Sequence, residues 1–283
     1  MNYRHSYHAG NFADVLKHVL LARLIVHLKN KDSAFRYIDT HAGSGRYDLI
    51  GGDAERTGEW KDGVGRVWNA ALPPAVSAVV APWLDVVRAL NPDGALKLYP
   101  GSPDLVRHLV REQDRLALCE RHPEDVRTLG RLFSRDKQVS VVDTDGWTAL
   151  NAYVPPKERR GVVLIDPPFE QPHELERMAA ALVSAHKKWP TGIYALWYPI
   201  KNPLDTEAFT RGLSKTGIKS ILGAELMIQR PNDARRLNGS GLAIVNPPWT
   251  LRAELGVLMP ELARLLALDS HARGRVIEIA GED

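Results

Sequence analysis

Residues 161–169 have the sequence Gly-Val-Val-Leu-Ile-Asp-Pro-Pro-Phe, an apolar run that ends abruptly in an acid, two prolines and a ring. A short β-branched run without polar alternation is typical of a strand buried on both faces. The prolines end its ladder, because neither can donate a backbone hydrogen bond. We therefore expect Asp166 and Phe169 just past the carboxyl end of a central strand, where ligands bind in open α/β sheets. An acid, a stiff carbonyl and a flat ring suit a planar base that carries an amino group.

The composition indicates an ordinary globular protein. At 283 residues, 44% hydrophobic and 25% charged, the chain is long enough for one large α/β domain or a core domain with an insertion. No apolar run approaches the roughly 18 residues of a membrane helix, and the first residues lack the apolar core of a signal peptide. Cys119, the single cysteine, lies in an apolar run and is interpreted as a buried structural thiol. We expect a cytoplasmic protein.

The charge is mildly basic, with a formal net charge of +3 and a pI near 8.9. This balance is compatible with nucleic-acid binding but is too weak to demonstrate it. Basic clusters such as Arg230 with Arg235 and Arg236 are expected to be solvated surface unless they converge on one cleft. Residues 3–8 alternate rings and cations, which fits an arm that faces nucleic acid and equally fits an ordinary terminus.

Strands and helices alternate along most of the chain. A helix over 11–31, capped by Asn11, precedes a strand over 36–40. Regular alternation then covers 115–216, and strands at 220–229 and 241–245 are expected to pair antiparallel across a polar turn. The pattern predicts an α/β fold with a Rossmann-like, doubly wound, mostly parallel seven-stranded sheet that closes on an antiparallel C-terminal hairpin.

One region interrupts this alternation. Residues 47–98 are rich in glycine and proline, contain a helical stretch and lack any strand of the parallel-sheet type. We expect a small helical insertion subdomain at 47–98, with the main domain formed by 1–46 and 99–283. Alternation resumes with a helix for which Ser102 is the expected N-cap, followed by Pro103 at the first helical position.

Polar residues follow four successive strands of the predicted sheet. They are Asp39, His41 and the turn Gly43–Gly45 after the first strand, Glu120 after the second, Asp143, Asp145 and Gly146 after the third, and Asp166 after the fourth. An acid after the second strand can accept both ribose hydroxyls of a nucleotide, and one after the third can accept from an adenine amino group. The set predicts an adenosine-bearing cofactor whose reactive group points at the fourth strand. A dinucleotide fingerprint and a P-loop are both missing.

Several motifs resemble one family. Asp-Pro-Pro-Phe looks like the catalytic motif of amino-directed S-adenosylmethionine methyltransferases. More specifically, the chain resembles the ribosomal RNA large subunit methyltransferase J family over essentially its whole length. The resemblance rests on residues 3–11, 14–18, 39–47, 56–59, 99–103, 111–114, 194–199 and 246–249. It implies N6-methylation of one adenine in 23S ribosomal RNA with S-adenosyl-L-methionine as the cofactor.

The resemblance also implies roles for individual residues. The expected cofactor contacts are Lys17, His18, His41, Gly43, Ser102, Glu120, Asp145, Gly146 and Asp166. Asp166 is the expected catalytic acid, assisted by the carbonyl of Pro167 and the ring of Phe169, and Tyr3 with Arg4 is expected to contact RNA. The family usually has tyrosine where this chain has Phe169, and base stacking needs only the ring.

The expected chemistry follows from the weak nucleophilicity of an adenine amine. If Asp166 and the Pro167 carbonyl each accept one N–H, they orient the nitrogen lone pair toward the methyl group. Positioning and electrostatics then supply most of the acceleration. The base must be unstacked to reach this pocket, and stacking on Phe169 offsets part of the cost of a few kcal/mol.

Other interpretations of the sequence stay open. Residues 246–249, Asn-Pro-Pro-Trp, also fit an amino-methyltransferase tetrapeptide, but they follow the hairpin at the expected sheet edge and are given a structural role. His5, His8 and His18 lack the partners of a zinc site, so no metal is expected. A DNA adenine or protein-amide methyltransferase, or a non-catalytic RNA-binding assembly factor on this scaffold, are the alternatives. A monomer that binds 23S ribosomal RNA and no membrane is expected.

Overall fold

The computed structural model describes residues 4–282, and their strands form one large and one small sheet. The strands are β1 (Arg36–Asp39), β2 (Arg46–Asp48), β3 (Leu98–Pro100), β4 (Arg115–Glu120), β5 (Val139–Asp143), β6 (Gly161–Ile165), β7 (Ile193–Ile200), β8 (Ile221–Met227), β9 (Gly239–Val245) and β10 (Arg273–Ala280). The large sheet has the order β10-β8-β9-β7-β6-β1-β4-β5, and β2 pairs with β3 alone. Strand β1 therefore lies inside the sheet between β6 and β4, as a doubly wound fold requires.

Eleven α-helices connect the strands of this described part. They are α1 (Phe12–Lys29), α2 (Asp53–Thr57), α3 (Glu59–Asp62), α4 (Val64–Trp68), α5 (Pro74–Ala89), α6 (Ser102–Leu109), α7 (Pro123–Leu132), α8 (Gly146–Tyr153), α9 (Glu174–Lys188), α10 (Pro203–Ser214) and α11 (Leu251–Leu266). The side chain of Asn11 accepts hydrogen bonds from the backbone N–H groups of Ala13 and Asp14, which confirms its predicted role as the N-cap of α1.

The predicted sheet architecture is confirmed, but the strand count of seven is wrong. Five strands, β5, β4, β1, β6 and β7, are parallel, and the hairpin β8–β9 pairs antiparallel. The eighth strand is β10, which pairs antiparallel with β8. Its sequence, Arg-Gly-Arg-Val-Ile-Glu-Ile-Ala, is mostly half-exposed, so it lacks the continuous apolar run of the inner strands. The chain therefore closes on α11 and β10, and not on the hairpin.

The hairpin itself lies inside the sheet. Strand β9 pairs with β7 on one side and β8 on the other, while β10 occupies the outer edge. The expectation that residues 246–249 lie at the sheet edge is therefore wrong, because an additional strand covers the hairpin. Since β9 is antiparallel to β7, its carboxyl end lies beside the beginning of β7, where Val245 faces Tyr194.

Strand β6 is buried on both faces, as its apolar run predicts. Val162 and Leu164 point into a core formed with α1, α5, α6 and α11, whereas Val163 and Ile165 point into a second core formed with α8, α9 and α10. All five residues of β6 are buried. Burial of this strand holds the turn at Asp166 in a fixed position at the carboxyl edge of the sheet.

Residues 47–98 contain helices α2 to α5 and no strand that joins the large sheet. Helix α5 packs on α1 and α11, with Trp83 and Val87 fully buried in the same core as α1. The expectation that residues 47–98 form a separate subdomain stays a prediction. Among the described residues, no helix is long and apolar enough to span a membrane.

Candidate active site

A buried lysine binds the acid that follows β6. Lys17 Nζ, on α1, donates to Asp166 Oδ2 at 2.6 Å and lies 2.9 Å from Asp14 Oδ1. Burial alone would lower the pKa of Lys17, but the charges of Asp14 and Asp166 outweigh it and raise that pKa well above 10.5. The lysine is therefore a permanent cation that occupies one oxygen of Asp166, and the other oxygen, Oδ1, is outside this bond.

The acid at the end of β1 is bound by two hydroxyl groups. Tyr37 and Ser102 each donate to Asp39 Oδ2 at 2.6 Å, and the backbone N–H of His41 donates to Oδ1 at 3.3 Å. Burial raises the pKa of Asp39 to about 6 despite these bonds. The predicted N-cap role of Ser102 is wrong, because Gly101 is the N-cap of α6 and Ser102 turns its hydroxyl to Asp39 instead.

Two histidines near these acids are uncharged at neutral pH. His18 is buried on α1 with its Nδ1 2.9 Å from the Tyr99 hydroxyl, and burial lowers its pKa to about 3. His41 meets the edge of the Trp147 ring at 5.5 Å between centroids, and burial lowers its pKa to about 4. Both rings therefore act as neutral hydrogen-bonding or packing groups and do not supply positive charge.

The acids after β4 and β5 are held by backbone N–H groups. Glu120 Oε2 accepts from Gly43 at 2.7 Å, and its Oε1 accepts from the next two residues. Asp145 caps α8 through its Oδ1. A side chain at Gly146 would have its Cβ 2.4 Å from the carbonyl oxygen of Thr40, so only glycine fits there. Asp143 is exposed and lines neither of the cavities described below.

Two adjoining cavities open at this edge of the sheet. The first, of about 230 Å³, is lined by all nine residues predicted to contact a cofactor, namely Lys17, His18, His41, Gly43, Ser102, Glu120, Asp145, Gly146 and Asp166. The second, of about 800 Å³, is lined by Pro167, Phe169 and Trp197 among others. Lys17 and Asp166 line both cavities, so the predicted catalytic acid stands at their junction.

The second cavity has an aromatic wall. Phe169 has a left-handed backbone with φ of 52° and meets Trp197 edge-on, with 5.5 Å between the ring centroids. Left-handed backbone is unusual for a bulky residue, and such conformations concentrate at ligand sites. The turn after the two prolines therefore aims the ring into this cavity instead of along the sheet.

The N-terminal residues predicted to contact RNA lie apart from these cavities or outside the described chain. Tyr3 is outside the described residues. Arg4 is exposed, forms an ion pair with Glu124 at 2.8 Å, and lines neither cavity. Within residues 4–282, no group of three or more His, Cys, Asp and Glu side chains could hold a metal ion. Cys119 is buried, and burial raises the pKa of its thiol to about 12.

Two functional candidates escaped the sequence reasoning. Asp14 lies three residues before Lys17 on α1, a spacing that places both on one helix face and could have indicated the ion pair. Glu174, the first residue of α9, lines the first cavity, is 5% exposed, and has a buried Oε2 without a hydrogen-bond partner among the described residues. No local pattern marks Glu174, because its position depends on how α9 meets the cavity. An acceptor left unpaired there fits a ligand that donates an N–H or O–H group.

Residues 246–249 lie at the opposite end of the parallel strands, beside the amino end of β7. Asn246 Nδ2 donates to the carbonyl oxygens of Pro190 and Gly192 at 2.8 and 2.7 Å, just before β7 begins. Trp249 is 88% exposed. The second tetrapeptide thus ties β9 to the beginning of β7 and contacts neither cavity.

A doubly wound sheet with acids after β1, β4, β5 and β6, and an Asp-Pro-Pro-Phe turn between two cavities, defines a Rossmann-like methyltransferase. The model of the family "Ribosomal RNA large subunit methyltransferase D, RlmJ" matches residues 32–277. The chain therefore belongs to this family of ribosomal RNA large subunit methyltransferases.

Curated relatives and a crystal structure agree with this membership. The Ribosomal RNA large subunit methyltransferase J of Escherichia coli K12 is 43% identical over 263 residues, covering 93% of this chain and 92% of the relative. The protein of the same name from Haemophilus influenzae Rd is 42% identical, with 94% of both chains covered. The crystal structure of protein LPL1258 from Legionella pneumophila superposes with a TM-score of 0.87 at 36% identity, covering 96% of this chain and 98% of that one.

Proposed function

We propose that this enzyme transfers a methyl group from S-adenosyl-L-methionine to the N6 amino group of one adenine in 23S ribosomal RNA. The observation that carries the proposal is Asp166, which stands between a cavity lined with nucleoside-binding groups and a larger cavity with an aromatic wall. The relatives' name supplies the substrate class, ribosomal RNA of the large subunit. We further propose that the enzyme acts in the cytoplasm as a monomer.

The first cavity suits an adenosine-bearing cofactor. Glu120 is the last residue of β4, the second parallel strand along the chain. A carboxylate at that position can accept both ribose hydroxyls. Asp145 Oδ1 caps α8, which leaves Oδ2 as an acceptor for an adenine amino group. Glu174 Oε2 is a further buried acceptor, to which no group of residues 4–282 donates. The cofactor supplies an activated sulfonium methyl group, and the chain's own residues bind and orient its nucleoside.

The second cavity suits the unstacked target base. Phe169 offers a ring face for stacking, and Trp197 packs against that ring in a T-shaped arrangement. Base–aromatic stacking is worth about 1–3 kcal/mol, comparable to the cost of unstacking one nucleotide. An adenine held there turns its amino group toward Asp166, which lies at the junction of the two cavities.

Lys17 defines which oxygen of Asp166 meets the substrate. Its Nζ donates a hydrogen bond to Oδ2. Oδ1 and the carbonyl oxygen of Pro167 are therefore the acceptors for the two N–H groups of the amine. These bonds turn the nitrogen lone pair toward the methyl carbon. No group needs to remove a proton from the amine first, because the methyl group is already activated. The N–C bond would form as the methyl–sulfur bond breaks, the sulfur would leave as a neutral thioether, and the methylated nitrogen would then lose its proton to water. Lys17 is therefore a positioning residue for Asp166.

The RNA strand beyond the target base is proposed to meet Tyr3 and Arg4. Arg4 pairs with Glu124 through two exposed side chains, and such an exposed pair is worth about 1 kcal/mol or less. A phosphate group can replace Glu124 as the partner of this guanidinium at little cost.

The proposal is tested by incubating the enzyme with radiolabelled S-adenosylmethionine and 23S RNA, duplex DNA or protein in parallel. We expect label only in RNA, and mass spectrometry of the digested RNA should identify N6-methyladenosine. The Asp166→Ala variant controls for contaminating activity. Label confined to DNA or protein, or wild-type rates in the variant, would falsify the proposal.

A further inference from the structure

The loop between β8 and β9 brings arginines to the active-site edge. Strand β9 begins at Gly239, which pairs with Ile200 at the carboxyl end of β7. Since β7 is parallel to β6, the loop over residues 228–238 lies at the same edge as Asp166. Arg235 and Arg236 line the second cavity together with Lys201, which follows β7. The basic cluster noted in the sequence thus converges on the cleft proposed for the target base.

A buried asparagine shapes this loop. Asn238 is fully buried, and its Nδ2 donates to the carbonyl oxygens of Lys201, Asp233 and Arg236 at 2.9, 2.9 and 3.2 Å. Its Oδ1 accepts from Gln229 Nε2 at 3.0 Å. One amide therefore gathers three backbone carbonyls from the loop and from the end of β7. The arginines are presented from a defined backbone, although their side chains extend into solvent.

The guanidinium groups are available to an anionic ligand. Arg235 and Arg236 are 91% and 73% exposed. Arg235 pairs with Asp233 at 3.0 Å and Arg236 approaches the same acid only at 3.8 Å. One half-buried carboxylate shared by two exposed arginines leaves a net positive charge at the loop, and ion pairs of exposed arginines contribute little stability.

The carboxylates of the second cavity do not cancel this charge. Asp14 and Asp166 share Lys17. Glu59 accepts from His8 and Asn11, and Asp62 pairs with Arg66 at 2.6 Å. Each of these four acids already has a cationic or hydrogen-bonding partner within the protein, and Glu170, the fifth acid that lines this cavity, is likewise engaged in an interaction within the protein. The arginines of the loop are therefore exposed cations that line this cavity.

We propose that Arg235 and Arg236 form a phosphate clamp that binds the RNA backbone beside the target adenine, with Asn238 as the residue that positions the loop. The inference rests on the proposed function, because the phosphates are those of its RNA substrate. A guanidinium fits two phosphate oxygens with parallel N–H bonds, which suits a backbone contact without base readout. The clamp then contributes to RNA binding and leaves the methyl transfer to Asp166.

The test compares an Arg235→Gln/Arg236→Gln double variant with Arg264→Gln. Arg264 is a matched control, because it is an exposed arginine paired with a nearby acid, Glu261, and it lines neither cavity. Steady-state methylation of 23S RNA at several salt concentrations gives KM and kcat for each protein, and calorimetry gives the Kd for S-adenosylmethionine.

We expect the double variant to raise the KM for RNA by about tenfold to a hundredfold. The slope of log affinity against log salt should become shallower by about 0.7 for each lost phosphate contact. The kcat, the cofactor Kd and the control variant should stay at wild-type values. An Arg235→Lys/Arg236→Lys variant keeps the charge, so it should recover the salt slope but only part of the KM.

If the double variant keeps the wild-type KM and salt slope, the clamp is overturned. The proposed function still stands in that case, provided that the wild-type enzyme methylates RNA. A loss of kcat at unchanged KM also overturns the clamp, since that result would assign the arginines to the methyl transfer and not to RNA binding. A wild-type enzyme that methylates no RNA overturns both proposals together.

Discussion

The molecule contains two nearly equivalent tetrapeptides in different places. Residues 166–169, Asp-Pro-Pro-Phe, follow β6, and residues 246–249, Asn-Pro-Pro-Trp, follow β9. Both follow fully buried strands, and both contain a residue with left-handed backbone, Phe169 in one and Asn246 in the other. By local sequence alone, each could bind the amino group of a base.

Strand direction separates them. Strand β6 is parallel to β1 and β7, so Asp166 lies at the carboxyl edge with the acids after β1, β4 and β5. Strand β9 is antiparallel to β7, so Asn246 lies at the amino end of β7, opposite to Asp166. Its side chain donates to the carbonyl oxygens of Pro190 and Gly192. A motif therefore becomes a site only where the topology gathers the remaining groups around it. This contrast can be tested at each equivalent position.

The largest expected difference is at the first position of each tetrapeptide. Asp166→Ala removes the acceptor proposed to orient the target amine, so kcat should fall by about 10²–10³-fold. Asn246→Ala should leave kcat within twofold of wild type, because its side chain contacts neither cavity. Steady-state methylation of 23S RNA at saturating RNA and cofactor measures both. A comparable loss in the two variants would contradict the separation of roles.

The aromatic residues at the fourth position should differ by a smaller amount. Phe169→Ala removes the proposed stacking surface, worth about 1–3 kcal/mol, so kcat/KM for RNA should fall about tenfold to a hundredfold. Phe169→Tyr keeps the ring and should keep the activity. Trp249→Ala removes an 88% exposed side chain and should change neither kcat/KM nor, by more than about 0.5 kcal/mol, the stability. Equal activity losses for Phe169→Ala and Trp249→Ala would remove the distinction between the rings.

The sequence predicts the first tetrapeptide's surroundings well because strand ends are a local signal. Each acid lies at the end of a strand or within two residues of it, and parallel strands bring all such ends to one side of the sheet. The expected cofactor contacts that follow strands, His41, Gly43, Glu120, Asp145, Gly146 and Asp166, line the first cavity for this reason. Lys17, His18 and Ser102 lie on helices, and only the family resemblance implies them. The strand β10 was missed because its half-exposed residues lack that apolar run.

Contacts between distant segments could not be predicted in the same way. Ser102 precedes Pro103 in a pattern typical of an N-cap, yet its hydroxyl binds Asp39, 63 positions away. Lys17 binds Asp166 across 149 positions. Such pairs depend on how helices dock on the sheet, which local propensity does not encode. The left-handed backbone at Phe169 likewise depends on the packing around the turn.

Substitutions at the two tetrapeptides' ends of the sheet should also differ in how they change the pH dependence of the free energy of unfolding. His18 is buried at the active-site edge with a pKa of about 3, against 6.5 for an ordinary histidine. Below pH 6.5 the unfolded chain binds a proton that the folded imidazole does not bind. The free energy of unfolding should then fall by about 1.4 kcal/mol per pH unit from this group, or about 2 kcal/mol at pH 5.

The variant His18→Gln should lose this part of the slope in urea unfolding between pH 7 and pH 5. Asn246→Ala introduces no change in titratable groups and should keep the wild-type slope. Equal slopes in the wild type and His18→Gln would show that His18 is protonated in the folded enzyme.

The smallest expected effect is the structural contribution of Asn246 itself. Its amide donates to two carbonyls near the surface, and its backbone has φ of 54°, which asparagine tolerates better than alanine. Asn246→Ala should lower the free energy of unfolding by about 1–2 kcal/mol, and Asn246→Gly, which adopts this φ without strain, should lower it less. Urea unfolding at pH 7 measures both. Both variants lose the side-chain bonds, so a larger loss in the glycine variant would mean that relief of the left-handed backbone does not offset the greater freedom of glycine in the unfolded chain. An unchanged stability in both would leave the second tetrapeptide without the structural role assigned to it.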